Sequence, residues 1–385
     1  SFTGNLDANA QTPTTNLLIS EIMYTTSGGT TATGTTKLAA LDQISGGSLA
    51  VGDIITITGT TKTGGPVSTS FTVADLVNDD IQDVLDVING VFTGSTAKII
   101  GGKIQLLDAA AGYSQTNLNL GFTDLSGGGV DLELPPYFLL ESVGSEGMYN
   151  TSVEVFDTQG ITHMMSVSFV RSTDPNIWDM VVTSVTGGVD SLVDRRIKGI
   201  EFLTDTSFGG MSGGTPDTQT IELVYSNNPG ATHTITFGLG TIGENDGLSL
   251  SGIASSVTVS ERDGYESGQL VALEVSVEGI LSGLFTNSIR KDIAAIKLAT
   301  FQNPSGLASV GNNYYTTTGN SGDPVPTQGL SSGAGAVRGG TLEGSNVEIA
   351  AEFVNLIQAQ NGFQANARTI RVANEILREL ASIIR

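Results

Sequence analysis

The chain has 385 residues, 39% of them hydrophobic, with 50 glycines, 10 prolines and no cysteine. It carries 39 acidic against 17 basic residues, a formal net charge of −22. That balance repels nucleic acid and anionic membrane surfaces, and the lack of cysteine excludes disulfides and thiolate metal sites. No apolar run reaches the roughly 18 residues of a membrane-spanning helix, so membrane insertion is not expected. The length suffices for two or three domains. Abundant Gly, Thr and Ser with few prolines predict many short strands joined by tight turns. The chain opens on Ser1 with no charged-then-apolar leader, which reads as a fragment or a processed product.

Residues 1–26 hold one or two extended segments, with Leu17, Leu18, Ile19, Ile22 and Met23 as their apolar cluster. The Thr- and Gly-rich stretch Thr25–Thr36 reads as a loop or domain boundary. Beyond it, Asp53–Gly59 alternates apolar and polar residues as a half-buried strand should. Within Val73–Phe92 the period changes: Ile81, Val84, Leu85, Ile88 and Phe92 fall at helical spacing. Lys98–Ile100 and Lys103–Leu107 flank Gly101-Gly102, a two-residue hairpin turn. Residues 21–145 are therefore expected to form a small α+β module.

Residues 146–262 are strand-rich. Ser152–Phe156 and His163–Val170 flank the turn Asp157-Thr158-Gln159-Gly160, and further strands are predicted at Trp178–Val185, Lys198–Phe202, Gln219–Tyr225 and Thr232–Phe237. Their number and spacing suggest a β-sandwich or barrel. Residues 263–340 add strands, notably Ile293–Phe301, before the Gly- and Ser-rich Gly329–Gly340.

The last segment differs in kind. Ser345 and Glu348 form a capping-box pattern, and no proline follows. Ile349, Phe353, Leu356, Gln360, Phe363, Ala367, Ile370, Asn374, Leu377, Ala381 and Ile384 alternate spacings of four and three, a heptad seam with two polar members. Ile357, Ala373, Ile376, Leu380 and Ile383 read as a second row. A helix of this length spans roughly 60 Å and needs a partner. No other long helical pattern supplies one, so the partner is another copy or a further segment. Phe353, Leu356, Ile357, Phe363, Ile370, Leu377 and Leu380 are the expected subunit-packing face. Residues 341–385 hold five acids and four bases, net −1, leaving −21 on the rest. A near-neutral tail suits close packing among copies.

Catalytic constellations are not expected. His163 and His233 both sit in strand-like segments. Asn78-Asp79-Asp80 with Asp83 and Asp86 lacks the alternating acids and glycine turn of a Ca²⁺ loop, and Asp79 and Asp80 suit a helix N-terminus instead. Gly127–Gly129 lacks the lysine of a phosphate loop. Neither a cofactor nor a metal is expected, and the chain does not read as an enzyme.

The stretch Gly340–Ala365 resembles the C-terminal signature of bacterial flagellar rod and hook proteins. Leu342, Glu343, Ser345, Asn346 and Val347 match its first part; Glu352, Ile357, Gln360, Gln364, Ala365 and Asn366 match its second. Ala299–Asn313, Val155–Phe169 and Ser1–Asn9 resemble hook-protein segments rather than rod segments. The resemblance implies a mainly β, multidomain fold with sandwich- or barrel-like domains. Residues 1–20 with 146–262 would be an outer β domain, 21–145 an inserted α+β module, 263–340 half of an inner β domain, and 341–385 a coiled-coil-type helix. It implies a self-assembling, extracellular hook subunit, exported by the flagellar type III secretion apparatus, that builds a curved tube passing torque from rod to filament. Implied partners are further copies in a helical tube, rod and hook–filament junction proteins, and the hook cap during assembly. Hook proteins also have an N-terminal helix and a first inner-domain half, which are not seen here. A secreted adhesin or surface-layer protein fits the acidic β-rich body equally well but has no need of the capped heptad helix. A distal rod subunit would keep that helix without needing so large an outer region.

Overall fold

The computed structural model describes residues 1–212, 219–342, 344–345 and 347–383. Glu343, Asn346, Ile384 and Arg385 of the tail pattern lie outside the described residues. The chain divides into two compact units, residues 1–267 and 268–385.

In the first unit, five antiparallel strands form the largest sheet, in the order Met148–Phe156, Thr162–Arg171, Ile177–Val185, Arg196–Phe202 and Phe208–Met211. The predicted turn at Asp157 closes its first hairpin. The Asp157 carboxylate accepts the backbone N–H groups of Gln159 and Ile161 at 2.8 Å each, the self-bonding that makes Asp a turn residue. A second sheet orders Val189–Asp194, Thr220–Tyr225 and His233–Thr236. In a third, Phe2–Asp7 lies between Leu248–Ser251, to which it runs parallel, and the antiparallel Ser256–Val259. One apolar core unites the three, including Phe2, Leu6, Phe169, Trp178, Met180, Val182, Tyr225 and Leu239.

The largest sheet is buried on both faces. Phe169, Met180 and Val182 enter that core, while the intervening Val170 and Val181 enter a second one. This is why Met180-Val181-Val182 is a continuous apolar run without alternation. The second core belongs to the α+β module. Its four-stranded sheet orders Phe138–Ser142, Leu17–Ser20, Lys103–Asp108 and Ser95–Ile100; a three-stranded sheet orders Asn117–Thr123, Ile54–Thr60 and Pro66–Thr72. Helix α1 (Ile81–Val91) buries Ile81, Val84, Leu85 and Ile88.

The start of α1 is set by local chemistry. Asp80 accepts from the Asp83 N–H at 3.3 Å and Asp83 accepts from the Asp80 N–H at 2.9 Å, a reciprocal capping box. The expected helical pattern from Val73 begins instead as a turn. There the Asp79 carboxylate takes the N–H groups of Ala74 and Asp75, at 2.7 and 2.9 Å, and such side-chain bonds compete with a helical ladder. The Gly101-Gly102 hairpin forms as expected, with φ of 60° and 76° at the two glycines.

Two early segments sit differently from the sequence reading. Leu17–Ser20 pairs with strands of the module, not with the strands around Phe2–Asp7. Thr25–Thr36 is not a boundary: Thr25–Thr26 pairs with Thr30–Thr31, and Tyr24 and Ala32 are buried in the module core.

The second unit contains the antiparallel sheet Leu270–Val275, Ile280–Phe285, Arg290–Ala295, two strand pairs, and helix α2 (Ile349–Ile383). The single strand expected over Ile293–Phe301 is two. Its ladder ends where the Ile296 N–H reaches the Gly279 carbonyl at 2.7 Å, and Leu298–Thr300 then pairs with Val325–Thr327. The fold is thus mainly β, with one small α+β module and one long helix.

Candidate functional site

Helix α2 is 35 residues long, about 50 Å at 1.5 Å per residue. Phe353, Leu356, Ile357, Phe363, Ile370, Leu377 and Leu380 are all 51–75% exposed. A fully buried apolar side chain contributes about 1.5–3 kcal/mol, so covering seven half-exposed ones is worth on the order of 5–10 kcal/mol. An isolated helix is only marginally stable in water, which makes a covering partner the natural source of its stability.

The geometry of that face follows from its spacing. Leu356, Phe363, Ile370 and Leu377 recur every seven residues, as do Phe353, Gln360, Ala367 and Asn374. On a straight helix each heptad drifts by about 20°, so the seam winds, and a partner that follows it supercoils left-handed. Ile357 and Leu380 do not form one row. Ile357 directly follows a seam residue and Leu380 directly precedes one, so they widen the face on opposite flanks toward its two ends.

The start of α2 differs from the expected Ser345–Glu348 box. The first helical residue is Ile349, and the Glu348 carbonyl accepts the Glu352 N–H at 3.2 Å. The Ser345 hydroxyl accepts from the Val347 N–H at 3.3 Å, a local turn ahead of the helix. Ser345 therefore stands four residues before the helix, and Glu348 immediately before it.

The two histidines converge, although 70 residues separate them. His163 is buried and stacks on Tyr225, with ring centroids 4.3 Å apart; His233 meets the same ring edge-on at 5.2 Å. His163 Nδ1 is 2.8 Å from the Thr186 carbonyl, and Nε2 is 3.5 Å from Asp157 Oδ2, which also accepts from the Asn227 amide. Burial alone raises the Asp157 pKa; the Ile161 and Gln159 N–H groups, Asn227 and His163 outweigh it and hold the carboxyl below its usual range. Burial, reinforced by the Asp157 charge, pushes the Tyr225 phenol up to about 12. The arrangement ties the turn at residue 157 to Thr186, just beyond the strand Ile177–Val185, and to the strand that ends at Tyr225, a packing role.

The expected glycine and acidic stretches are likewise accounted for by turns. Asp124 accepts from the N–H groups of Gly127 and Gly129, at 2.9 and 2.8 Å. Gln82 donates to Asp86 at 2.8 Å along α1.

Sequence reasoning missed a polar cluster where the module meets the largest sheet. Arg196 pairs with Asp179 at 2.9 Å and donates to the Ser114 carbonyl of the module at 2.9 Å. Arg195 donates to Asn117 Oδ1 at 3.1 Å and to the Phe138 carbonyl at 2.7 Å. Adjacent arginines at a strand start carry no local signal of burial, because lone arginines are usually solvated.

The described residues thus combine a β-rich body with a long helix whose apolar seam is exposed. Residues 141–265 match the flagellar basal body protein FlaE D2 domain, and residues 338–383 match the flagellar basal body rod FlgEFG protein C-terminal domain. Both matched models describe flagellar basal body proteins, and the curated relatives the chain is similar to are flagellar hook proteins. It is 30% identical over 248 residues to the flagellar hook protein FlgE of Borreliella burgdorferi, covering 62% of this chain and 55% of that protein. It is 31% identical over 244 residues to FlgE of Escherichia coli, covering 63% and 58%. The crystal structure of Helicobacter pylori flagellar hook protein FlgE2 aligns over 84% of this chain and 71% of that one, at 14% identity and a TM-score of 0.32. The chain thus spans a little over half the length of the first two relatives. Residues 21–140 lie outside both family matches.

Proposed function

We propose that this chain is a subunit of the flagellar hook, and that copies of it pack through helix α2 into a curved tube that carries torque from rod to filament. The supporting observation is the uncovered seam of α2, in which Phe353, Leu356, Ile357, Phe363, Ile370, Leu377 and Leu380 stay exposed along a regular heptad. Such a face gains stability only when another helix covers it. Polar Gln360 and Asn374 within the seam fix its register against that partner, since a buried amide tolerates few alignments. In this reading the subunit works outside the cell after export by the flagellar apparatus, with rod and junction proteins at the two ends of the tube and a cap guiding growth. The Gly-rich stretch Gly329–Gly340, whose Gly329 and Val337 N–H groups bond to the Glu278 and Val277 carbonyls, leads toward the helix.

The test is Leu377→Asp in the complete subunit, with assembly followed by electron microscopy. Loss of tubes with the β body still folded is expected, because a charge in the seam is desolvated on packing. Tubes of unchanged yield and shape would overturn the reading.

A further inference from the structure

The strand Asn117–Thr123 stands at the end of its sheet, paired among the described residues with Ile54–Thr60 alone. The Gln115 N–H bonds to the Lys62 carbonyl at 3.0 Å in the same register. Antiparallel alternation then turns the backbone N–H and C=O groups of Asn119 and Gly121 toward the paired strand, and those of Leu120 and Phe122 out of the open edge. An open edge is a template for another strand, and proteins usually blunt it with bulges, prolines or charges. This edge has none of them: its seven residues keep an unbroken register and include neither proline nor a charged side chain. By contrast Val189–Asp194, which ends the second sheet, breaks register twice along its one partner.

Both strands line one groove of about 1040 Å³. They do so with consecutive residues, 119–122 and 189–193, as strand edges do; a strand face would present alternate ones. Glu21, Asp131, Glu133 and Asp190 also line the groove, all four exposed, and no lysine or arginine does. Among the described residues none of the four forms an ion pair. We propose that this groove seats an extended, basic segment of another protein, added as a fourth strand beside Asn117–Thr123. Leu120 and Phe122 supply the main-chain hydrogen bonds, which accept many sequences, and the carboxylates select for positive charge. A second copy suits the groove less well, since the chain itself carries −22. None of these residues belongs to the α2 seam.

The test is amide hydrogen exchange of the full chain with and without a blocked peptide of alternating lysine and valine, cut to the length of the strand. Slower exchange across residues 117–123 at saturating peptide is expected, and a glutamate–valine peptide should leave exchange there unchanged. Two further lysine–valine peptides are N-methylated, one at every lysine and one at every valine. At least one of them should bind about tenfold more weakly, because it cannot donate to the edge. Unchanged exchange with the lysine–valine peptide overturns the proposal, as does equal protection by the glutamate peptide or undiminished binding of both methylated ones. Protection of residues 117–123 that grows with protein concentration in the absence of peptide would make a second copy the occupant, and overturns it too.

Discussion

Arg196 and Asp179 meet at 2.9 Å, both largely buried, on the sheet face that carries the α+β module. The Gly199 N–H and the Tyr113 hydroxyl complete the Asp179 carboxylate, while the other arm of Arg196 reaches the Ser114 carbonyl. Tyr113 and Ser114 belong to the module, so the pair fastens the module to the sheet beside the apolar contacts of Val170 and Val181.

Removing one partner is expected to cost far more than removing both. Asp179→Ala leaves a buried guanidinium unpaired, which destabilises by about 3–5 kcal/mol. The double change Asp179→Ala with Arg196→Met should recover part of that loss. Urea unfolding of the three variants measures it, and a double variant as unstable as D179A would contradict the account.

Acid should weaken the turn at residue 157. The Asp157 carboxyl is held below its usual range in the fold, so its ionised form is favoured by folding. That stability is fully present above the unfolded value, about 3.9, and is lost as pH falls through the lower folded value. Asp157→Asn should therefore be less stable near neutrality and should show a flatter pH dependence in the acid range. Urea midpoints between about pH 5 and 2 provide the comparison.

The two hairpin glycines should respond differently. A Cβ on Gly102 would stand 2.8 Å from the Tyr24 carbonyl oxygen, whereas one on Gly101 meets nothing within 4 Å. Both have positive φ, which Asn tolerates better than other residues. Gly101→Asn should be nearly neutral, and Gly102→Ala should cost about 1–3 kcal/mol. Thermal melts of the two variants separate crowding from backbone strain.

Gly362 interrupts an exposed run of α2, and a Cβ there meets nothing within 4 Å. Gly362→Ala should stabilise the helix by about 1 kcal/mol, visible as increased helical ellipticity of the dispersed chain. If α2 packs closely against another helix at this point, the same variant should assemble less readily despite its more stable helix.

Much of this molecule is written locally. The period of Ile81, Val84, Leu85 and Ile88 identifies α1, the adjacent glycines place the hairpin, and the sevenfold recurrence of Leu356, Phe363, Ile370 and Leu377 marks the seam. Each rests on contacts between residues close in sequence, so periodicity and turn chemistry suffice. The strands at Val189–Asp194, Phe208–Met211, Leu248–Ser251 and Ser256–Val259 escape such reading, being four to six residues long and stabilised by distant neighbours.

The same contrast separates the two sites. Exposure of the α2 face follows from an amphipathic pattern with no second helix of comparable length among the described residues, and residue spacing alone reveals the pattern. The pairing of Phe2–Asp7 with Leu248–Ser251, the meeting of His163 and His233 on Tyr225, and the burial of Arg195 beside Asn117 and Phe138 do not. Apart from His233 and Tyr225, which lie on neighbouring strands, these partners are separated by dozens to hundreds of residues. What joins them is the closure of sheets around shared cores, a long-range outcome that no local spacing encodes.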